Sequence, residues 1–278
     1  MDRVPTMSFC EPDGTPARAP KLSVTTRFDL SGKHAIITGG SQGLGRAIAK
    51  GFLEHGARKV ALLDIDKEQG EFAVRDLAEL FPDRQQGIIF RQLDVTDADA
   101  VRASIGEVAR VFDGVDVLAC FAGTVNSVRI TDYTPEQFRH ILDVNTTGTF
   151  LVAQEVARQM ITKGTGGSII LTASMAGHIV NYPQTHVAYG TSKSAVHHMT
   201  RCMAAELAVH GIRVNSVSPG YMDTRLNSSA DLQDVRPIWW ARTPMGRIGA
   251  AEELVGPLVL LASEAGSFMT GADLRVDG

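Results

Sequence analysis

The feature of this sequence that most restricts its fold is a regular alternation between short apolar runs and longer segments with helical periodicity. Seven apolar runs predict strands over residues 34–38, 60–64, 87–93, 115–121, 167–174, 212–218 and 272–277. The segments between them predict helices over 44–54, 67–80, 98–112, 135–160, 188–209 and 251–263. Because apolar strands separated by helices are typical of a parallel sheet covered on both faces, the pattern predicts an α/β fold. We expect a doubly wound, seven-stranded parallel sheet.

The chain is long enough for one large domain, with 278 residues of which 44% are hydrophobic. No linker interrupts the alternation, so we expect one catalytic domain over residues 28–278 after a flexible tail over 1–27. The tail is rich in proline, threonine and charge and lacks an apolar run, so neither a secretory signal nor a transit peptide is expected.

Charge and cysteine content exclude several classes of protein. The net charge of −4 argues against a nucleic-acid partner, and no apolar run approaches the roughly 20 residues that span a membrane. The three cysteines, Cys10, Cys120 and Cys202, are scattered and odd in number. They indicate a reducing compartment, here the cytoplasm, and their spacing predicts no metal site.

A glycine-rich segment joins the first predicted strand to the first predicted helix. Its spacing is Gly39-x-x-x-Gly43-x-Gly45. Glycines permit positive φ and close approach of a ligand to the backbone, and the start of a helix attracts an anion. The segment therefore predicts a pyrophosphate cradle, although by itself it could equally be a plain strand-to-helix turn.

Two acidic residues at strand ends extend this interpretation to a dinucleotide. Asp64 ends the second predicted strand, where a carboxylate can accept hydrogen bonds from the adenosine ribose and repel a 2′-phosphate. No Arg or Lys lies in the glycine loop or directly after Asp64, so we expect NAD rather than NADP. Asp64 could instead cap the next helix, as Asp66 could. Asp94, after the third strand, could meet the adenine amino group or cap a helix.

Tyr189 and Lys193 are candidates for proton transfer. Side chains at positions i and i+4 share one face of a helix, and a cation near a Tyr hydroxyl should lower its pKa from about 10. The pair could act as general base in alcohol oxidation and as general acid in carbonyl reduction. Ser174, at the end of the fifth strand, could stabilise charge on the substrate oxygen. Alone, the pair could mark an exposed helix face, but together with Ser174 and the glycine loop it favours catalysis.

These motifs, in this order, resemble the short-chain dehydrogenase/reductase family from Leu30 to the end of the chain. The resemblance also rests on Thr38, on Asn145 in "DVNTTGTF" and on "SPG" at 218–220. It implies a single-domain Rossmann fold and a catalytic tetrad of Asn145, Ser174, Tyr189 and Lys193. Tyr189 is then the acid/base, and Asn145 holds a water that links Lys193 to solvent. The expected cofactor contacts are Gly39, Ser41, Gln42, Gly43, Leu44, Gly45, Asp64, Ile65, Asp94, Val95, Ala122, Gly123, Tyr189, Lys193, Pro219, Gly220, Met222 and Thr224.

The chain also departs from the family pattern. Cys120 and Phe121 stand before Ala122-Gly123, where the family usually has two asparagines, and the spacing from Ser174 to Tyr189 is longer than usual. The resemblance implies a homo-oligomer, a dimer or tetramer, built through the predicted helices 135–160 and 188–209.

Two loops suggest the substrate. "SMAGHIVNYPQ" at 174–184 and "SPGYMDTRLN" at 218–227 look most like the fungal polyol and ketose branch, which includes D-arabinitol 2-dehydrogenase and L-sorbose or mannitol reductases. This implies a sugar alcohol or ketose, whose hydroxyls His178, Asn181, Gln184 and His186 could bind. Asn181 and Gln184 could instead only close the loop, and His178 could only pack. Trp239 and Trp240, in the irregular segment 225–249, would suit a more apolar substrate, so a reductase of lipid-like, 3-oxoacyl or secondary-metabolite ketones stays open. A non-catalytic dinucleotide-sensing protein is a third alternative.

Overall fold

The structure is a computed structural model of the chain and describes residue 23 and residues 26–224 and 234–278. Most of the predicted tail over 1–27 therefore lies outside the described residues, as does the first part of the irregular segment 225–249.

A parallel seven-stranded sheet forms the centre of the molecule, as predicted. The strands are β1 (His34–Thr38), β2 (Lys59–Asp64), β3 (Ile88–Gln92), β4 (Val117–Cys120), β5 (Gly167–Thr172), β6 (Ile212–Pro219), β7 (Met222–Asp223), β8 (Gly249–Ala250) and β9 (Asp273–Val276). The sheet order is β3-β2-β1-β4-β5-β6-β9, while β7 and β8 form a separate small pair. The chain moves outward from β1 to β3 and then returns to place β4 on the other side of β1. Ligands of such sheets bind beyond the strand ends at this reversal.

Helices cover both faces of the sheet. They are α1 (Gly43–Glu54), α2 (Lys67–Leu80), α3 (Ala98–Phe112), α4 (Pro135–Leu142), α5 (Thr149–Lys163), α6 (Val187–Leu207), α7 (Arg236–Arg242) and α8 (Val255–Ala262). Within the described ranges, no helix is long and apolar enough to cross a membrane.

The two cores follow from the alternation of side chains along each strand. Ile36 of β1 packs with α3, α5 and α6, whereas Ala35 and Ile37 pack with α1, α2 and α8. Successive side chains of a strand point to opposite faces, so a strand buried on both sides needs a continuous apolar run. This explains why the apolar runs located the strands correctly.

The predicted helix over residues 135–160 is wrong in one respect. The structure divides it into α4, a π-helical turn over Asp143–Gly148, and α5. Asn145 lies in the π turn and is fully buried, and the Thr149 hydroxyl donates to its carbonyl at 2.8 Å. Such turns are frequent at functional sites. Apolar periodicity did not reveal this turn, because the apolar pattern of α5 simply continues that of α4.

Candidate active site

The glycine loop after β1 packs directly against the end of β4. A Cβ on Gly39, whose φ is +64°, would lie 2.6 Å from the backbone nitrogen of Ala122. A Cβ on Gly45 would lie 2.1 Å from the Gly39 carbonyl oxygen. Both distances are far shorter than van der Waals contact, so only glycine fits these positions. The loops after β1 and β4 therefore form one continuous surface at the reversal of the sheet.

Gly43, the middle glycine of the motif, borders open space. A Cβ on Gly43, whose φ is +54°, would meet only Thr224, at 3.9 Å. A side chain at Gly43 would project into the space beside Thr224. The two residues, both predicted to contact the cofactor, therefore border the same cradle.

The start of α1 fits an anion in this cradle. Its N-cap residue, Gln42, makes no side-chain capping hydrogen bond, and its first turn carries no acidic residue. Helix starts with free N–H groups and a positive dipole end bind phosphates. The Ser41 hydroxyl is buried and has no hydrogen-bond partner among the described residues. These features fit the diphosphate of a dinucleotide, for which Ser41 and the first turn of α1 would supply donors.

Asp64 lies at the end of β2, directly beside the loop. Its Oδ2 accepts a hydrogen bond from the Ser41 amide at 3.1 Å, and its Oδ1 accepts one from the Asp66 amide at 3.2 Å. The N-cap of α2 is Asp66, whose side chain accepts from the Gln69 amide at 3.1 Å. Asp64 is therefore not the helix cap, and its carboxylate stands at the strand end next to the phosphate cradle.

Two cationic side chains, Arg46 on α1 and Lys67 on α2, lie on the helices that flank β2, and each has an acidic partner on α2. Arg46 forms an ion pair with Asp76, and Lys67 lies 3.9 Å from Glu71. A 2′-phosphate near Asp64 would meet a carboxylate, and these two cations already have acidic partners.

Asp94 has a structural role at the end of β3. Its Oδ1 accepts from the Thr96 amide and the Thr96 hydroxyl at 2.9 and 2.7 Å. These hydrogen bonds hold the pKa of the Asp94 carboxyl below its usual value. Asp97 caps α3, so Asp94 closes the turn and leaves its other oxygen for a ligand.

The remaining predicted cofactor contacts differ in what they can offer. The side chains of Val95 and Met222 are buried in the two cores, so only their backbones could meet a cofactor. Ile65 is 62% exposed. Pro219 ends β6, and Gly220 continues its hydrogen bonding to β9.

The structure brings the four predicted catalytic side chains together. A Cβ on Gly123 would lie 3.2 Å from Asn145 Oδ1 and 3.8 Å from Lys193 Nζ, so these two groups converge beside the loop after β4. Lys193 Nζ lies 5.6 Å from the centre of the Tyr189 ring, and the Ser174 side chain is near enough to Tyr189 to act against the rise of its pKa. The cluster therefore borders the same sheet edge as the glycine loop.

Asn145 is held by the π turn and three hydrogen bonds. Its Oδ1 accepts from the Thr124 amide at 2.8 Å, and its Nδ2 donates to the Thr124 carbonyl at 2.9 Å and to Ser192 Oγ at 3.0 Å. Both amide protons are therefore used within the protein. The water-holding role stays a prediction, and in this geometry such a water would have to donate to an oxygen of Asn145.

Burial strongly lowers the pKa of Lys193, the cationic residue of the cluster. Its side chain is 95% buried, and its Nζ donates to the Thr172 carbonyl at 2.7 Å. Burial lowers the pKa of the ammonium from 10.5 to about 8, because a charge loses hydration in the interior. Burial likewise raises the pKa of the neighbouring Cys120 thiol to about 12, so the thiol is neutral.

The predicted direction of the Tyr189 pKa shift is wrong. Burial raises the pKa of the Tyr189 hydroxyl above 10, and the nearby Ser174 side chain opposes this only in part. Lys193 does not lower it, since its Nζ lies over the ring and is bonded to Thr172. The protein holds the phenol in its protonated form at neutral pH.

His186 lies beside Tyr189, and further polar side chains lie on or against the same loop, residues 181–186. The His186 ring lies 5.7 Å from the Tyr189 ring and its Nε2 is 2.8 Å from Ser127 Oγ. The Tyr221 hydroxyl donates to Gln184 Oε1 at 2.9 Å. Sequence patterns did not single out Ser127 or Tyr221. Ser127 lies four residues after Gly123, and Tyr221 directly follows Gly220.

Two atoms of this polar set lack hydrogen-bond partners. Asn181 Oδ1 and His186 Nδ1 are buried and unpaired among the described residues. His178, by contrast, does not join this set, because its Nε2 contacts Asp273 and His197. Trp239 is buried and stacks on Tyr221 with ring centres 4.2 Å apart. It therefore packs behind Tyr221 and holds that ring in place.

Comparison with known proteins agrees with this geometry. The family model described as enoyl-(acyl carrier protein) reductase matches residues 39–278. Sorbose reductase of Candida albicans is 35% identical over 95% of this chain and 92% of its own. D-arabinitol 2-dehydrogenase of Candida tropicalis is 35% identical, covering 92% and 95%. A 3alpha-hydroxysteroid dehydrogenase of Mediterraneibacter gnavus is 36% identical, covering 90% and 97%.

Solved structures with the same fold include a short-chain type dehydrogenase/reductase from Mycobacterium marinum. It is 44% identical with a TM-score of 0.87, covering 92% of this chain and 98% of its own. NAD+-bound xylitol dehydrogenase is 34% identical with a TM-score of 0.81, covering 90% and 99%. NADPH-dependent 3-quinuclidinone reductase from Rhodotorula rubra is 34% identical with a TM-score of 0.84, covering 94% and 97%. Similar proteins therefore use either form of the nicotinamide cofactor.

Proposed function

The chain belongs to the short-chain dehydrogenase/reductase family, and we propose that it is an NAD-dependent oxidoreductase that interconverts a secondary alcohol and a ketone. The substrate we propose is a sugar alcohol or ketose of the D-arabinitol type. The nicotinamide, when bound, supplies or accepts the hydride.

One observation carries the proposal. Tyr189 has the Ser174 side chain near it and the Lys193 ammonium over its ring. Lys193 also lies beside Gly123, in the loop after β4 that packs against the glycine loop. A group that moves protons and a cradle for phosphates therefore share one edge of the sheet. A protein that only senses a dinucleotide would not need Tyr189 paired with the buried Lys193.

The residues divide the work of proton transfer. Tyr189 gives its proton to the carbonyl oxygen in the direction of reduction and takes it back in the direction of oxidation. Burial raises the pKa of its hydroxyl, so the protonated form needed for reduction is present at neutral pH. Ser174 can donate to the substrate oxygen and stabilise charge that develops there. Lys193 places a positive charge one helical turn after Tyr189.

The choice of NAD rests on Asp64. Its carboxylate borders the cradle through the Ser41 amide, where it would accept from a ribose hydroxyl and repel a 2′-phosphate. We expect wild-type kcat/KM to be at least tenfold higher with NAD than with NADP. The change Asp64→Ala should reduce this ratio by at least tenfold, while Asp83→Ala, in an exposed turn, should leave it unchanged. A wild-type preference for NADP would overturn this part of the proposal.

A polyol substrate is supported by the polar set beside Tyr189. Asn181 Oδ1 and His186 Nδ1 are buried without partners, and an unpaired buried polar atom costs about 1–3 kcal/mol. Substrate hydroxyls would satisfy these atoms after a small shift of the loop. The candidates are Asn181, Gln184, His186, Ser127 and Tyr221.

A second candidate substrate is an apolar ketone, such as a lipid-like or secondary-metabolite ketone. The same loop exposes Ile179, Val180 and Tyr182, and these side chains could cover an apolar ring or chain. Rates of NADH formation or consumption against a panel of polyols, ketoses and apolar ketones would separate the two. Turnover of apolar ketones without turnover of any polyol or ketose would replace the first candidate by the second.

The role of Tyr189 has its own test. The change Tyr189→Phe should reduce kcat by 10² to 10⁴, the usual contribution of a general acid or base, while NADH still binds by fluorescence titration. Tyr133→Phe, which removes a hydroxyl bonded to Asn126, is the matched control and should keep wild-type kcat. If Tyr189→Phe keeps full activity, proton transfer occurs elsewhere.

The oligomeric state and the location are further expectations. Phe150 and Ile161 of α5 are partly exposed apolar side chains, which supports pairing of subunits into a dimer or tetramer. Light scattering on the purified chain would measure the mass. A cytoplasmic location stays a prediction.

A further inference from the structure

Two histidines and one aspartate that the proposed reaction does not use converge on a single point. His178 Nε2, His197 Nε2 and a carboxylate oxygen of Asp273 all lie within 4.8 Å of one another. His178 follows the fifth strand, His197 lies on α6, and Asp273 begins β9. We propose that these three side chains bind a divalent transition metal ion, with Zn²⁺ as the expected ion.

The two distances from Asp273 to the histidines suit a shared ion. Asp273 Oδ2 lies 3.0 Å from His178 Nε2 and 3.4 Å from His197 Nε2. Zinc bonds to nitrogen and oxygen are about 2.0–2.1 Å, so two ligands of a tetrahedral ion stand about 3.3 Å apart. The two imidazole nitrogens are in direct contact, and their rings are nearly perpendicular with centres 4.0 Å apart. A modest rotation of the more exposed His178 ring would open room for the ion.

Asp273 is already oriented by two buried serines. Its Oδ1 accepts from Ser216 Oγ at 2.6 Å and from Ser218 Oγ at 2.8 Å. Both serines are fully buried on β6. These bonds fix the carboxylate and leave Oδ2 turned toward the two imidazoles. Metal sites commonly hold their ligands by such outer hydrogen bonds.

Hydrogen bonding alone accounts poorly for this arrangement. His178 Nε2 faces three possible acceptors, namely Asp273 Oδ2, His197 Nε2 and Ser218 Oγ at 3.3 Å. An imidazole nitrogen carries at most one proton, and two protonated nitrogens in contact would repel each other. A cation that accepts lone pairs from all three ligand atoms resolves this conflict. The competing explanation is a proton shared between the two rings.

The donor set favours a transition metal over Mg²⁺ or Ca²⁺. Two imidazoles and one carboxylate are typical ligands of zinc and neighbouring first-row ions, whereas the alkaline-earth ions prefer oxygen alone. Three protein ligands leave a fourth position for water. The His178 side chain is 26% exposed and the other two about 10% or less, so an ion can enter from the His178 side.

A bound ion would connect three elements around the active site. His178 lies four residues after Ser174, and His197 lies one helical turn after Lys193. The ion would therefore fasten the start of the substrate loop to the helix that carries Tyr189 and Lys193. Its effect would be on stability and loop position, since none of the three ligands belongs to the proton-transfer cluster.

The test is zinc binding by the whole 278-residue chain after removal of metals with a chelator. Calorimetric titration with ZnCl₂ should show one ion per chain, and Mg²⁺ should not compete. At a hundredfold excess over the dissociation constant, zinc should raise Tm by roughly 5–10 °C. Cobalt(II) added instead should give the visible absorption of a tetrahedral site with nitrogen ligands.

Variants distinguish this site from adventitious binding by other histidines. His178→Gln should weaken zinc binding at least tenfold and remove the rise in Tm, and Asp273→Asn should do the same. His198→Gln, at an exposed position next to His197 on the same helix, is the matched control and should bind zinc like the wild type. Because Asp273 is buried, its variant could fold poorly, whereas His178 lies at the surface and keeps the test decisive.

Two results would overturn the proposal. One is the absence of stoichiometric zinc binding by the wild type. That result is expected if the His178 and His197 rings share a proton instead of a metal ion. The other is equal zinc affinity in His178→Gln and the wild type.

Discussion

Replacing the buried Lys193 by methionine should make the protein more stable at neutral pH while it removes activity. The Lys193 ammonium is 95% buried, and burial lowers its pKa from 10.5 to about 8. A difference of about 2.5 pKa units corresponds to about 3 kcal/mol at about 1.36 kcal/mol per unit. This is the cost of keeping the charge in the folded protein at pH 7.

The net gain is smaller because a hydrogen bond is lost. Lys193 Nζ donates to the Thr172 carbonyl at 2.7 Å, and leaving that carbonyl unpaired costs about 1–2 kcal/mol. We therefore expect Lys193→Met to raise the free energy of unfolding by about 1–2 kcal/mol at pH 7.

The pH dependence isolates the charge from the hydrogen bond. The folded pKa is depressed, so the cost is fully present below pH 8 and disappears as the pH rises toward 10.5, where the unfolded lysine also loses its proton. At pH 9.5 only about 1.4 kcal/mol of the cost remains. The stability difference between Lys193→Met and the wild type should therefore fall by about 2 kcal/mol between pH 7 and 9.5.

The assay is urea unfolding at pH 7 and pH 9.5, at one protein concentration, followed by circular dichroism. Lys50→Met, at an exposed position of α1, is the control and should show a small difference that does not change with pH. A Lys193→Met effect that stays constant within about 0.5 kcal/mol across this range would refute the reasoning, as would a clear loss of stability at pH 7.

Two further predictions concern packing. Gly45→Ala would place a Cβ 2.1 Å from the Gly39 carbonyl oxygen, so we expect the free energy of unfolding to fall by about 1–3 kcal/mol and NADH binding, measured by fluorescence, to weaken at least tenfold. The control is Gly106→Ala on α3, where a Cβ meets nothing within 4 Å, and it should be neutral or slightly stabilising. Equal behaviour of the two variants would contradict this prediction. Asn145→Ala should cost about 2–4 kcal/mol in urea unfolding, because it leaves the Thr124 amide and carbonyl unpaired, and a loss below about 1 kcal/mol would show that water replaces these bonds.

The sequence was informative wherever structure depends on residue type and short spacing. The apolar runs located all seven strands of the main sheet. The inner strands are buried on both faces and must be nearly continuously apolar, whereas the edge strands β3 and β9 are only partly buried. Gly39 and Gly45 were identified as loop glycines from their spacing. The structure shows why they must be glycines: a side chain on Gly39 would meet the backbone of Phe121–Ala122, and one on Gly45 would meet the Gly39 carbonyl. Tyr189 and Lys193 were identified because a spacing of four places two side chains on one helix face.

The sequence was misleading where the outcome depended on a balance of environments. It predicted a lowered pKa for Tyr189 from the nearby Lys193, but the depth of burial, which no local pattern shows, reversed the direction. It also left His178 open as a substrate contact or a packing residue, and only the folded chain turns this ring toward Asp273, which lies 95 residues away.

The sequence by itself determined the α/β layering, the glycine loop and the types of residue available for proton transfer, because these follow from local spacing and side-chain size. Only the tertiary structure decided which polar groups are buried and which distant residues meet. The convergence of His178 and His197 with Asp273 is the clearest case, because it requires a loop, a helix and an edge strand to meet. Such a meeting is set by the packing of the whole sheet rather than by any one segment.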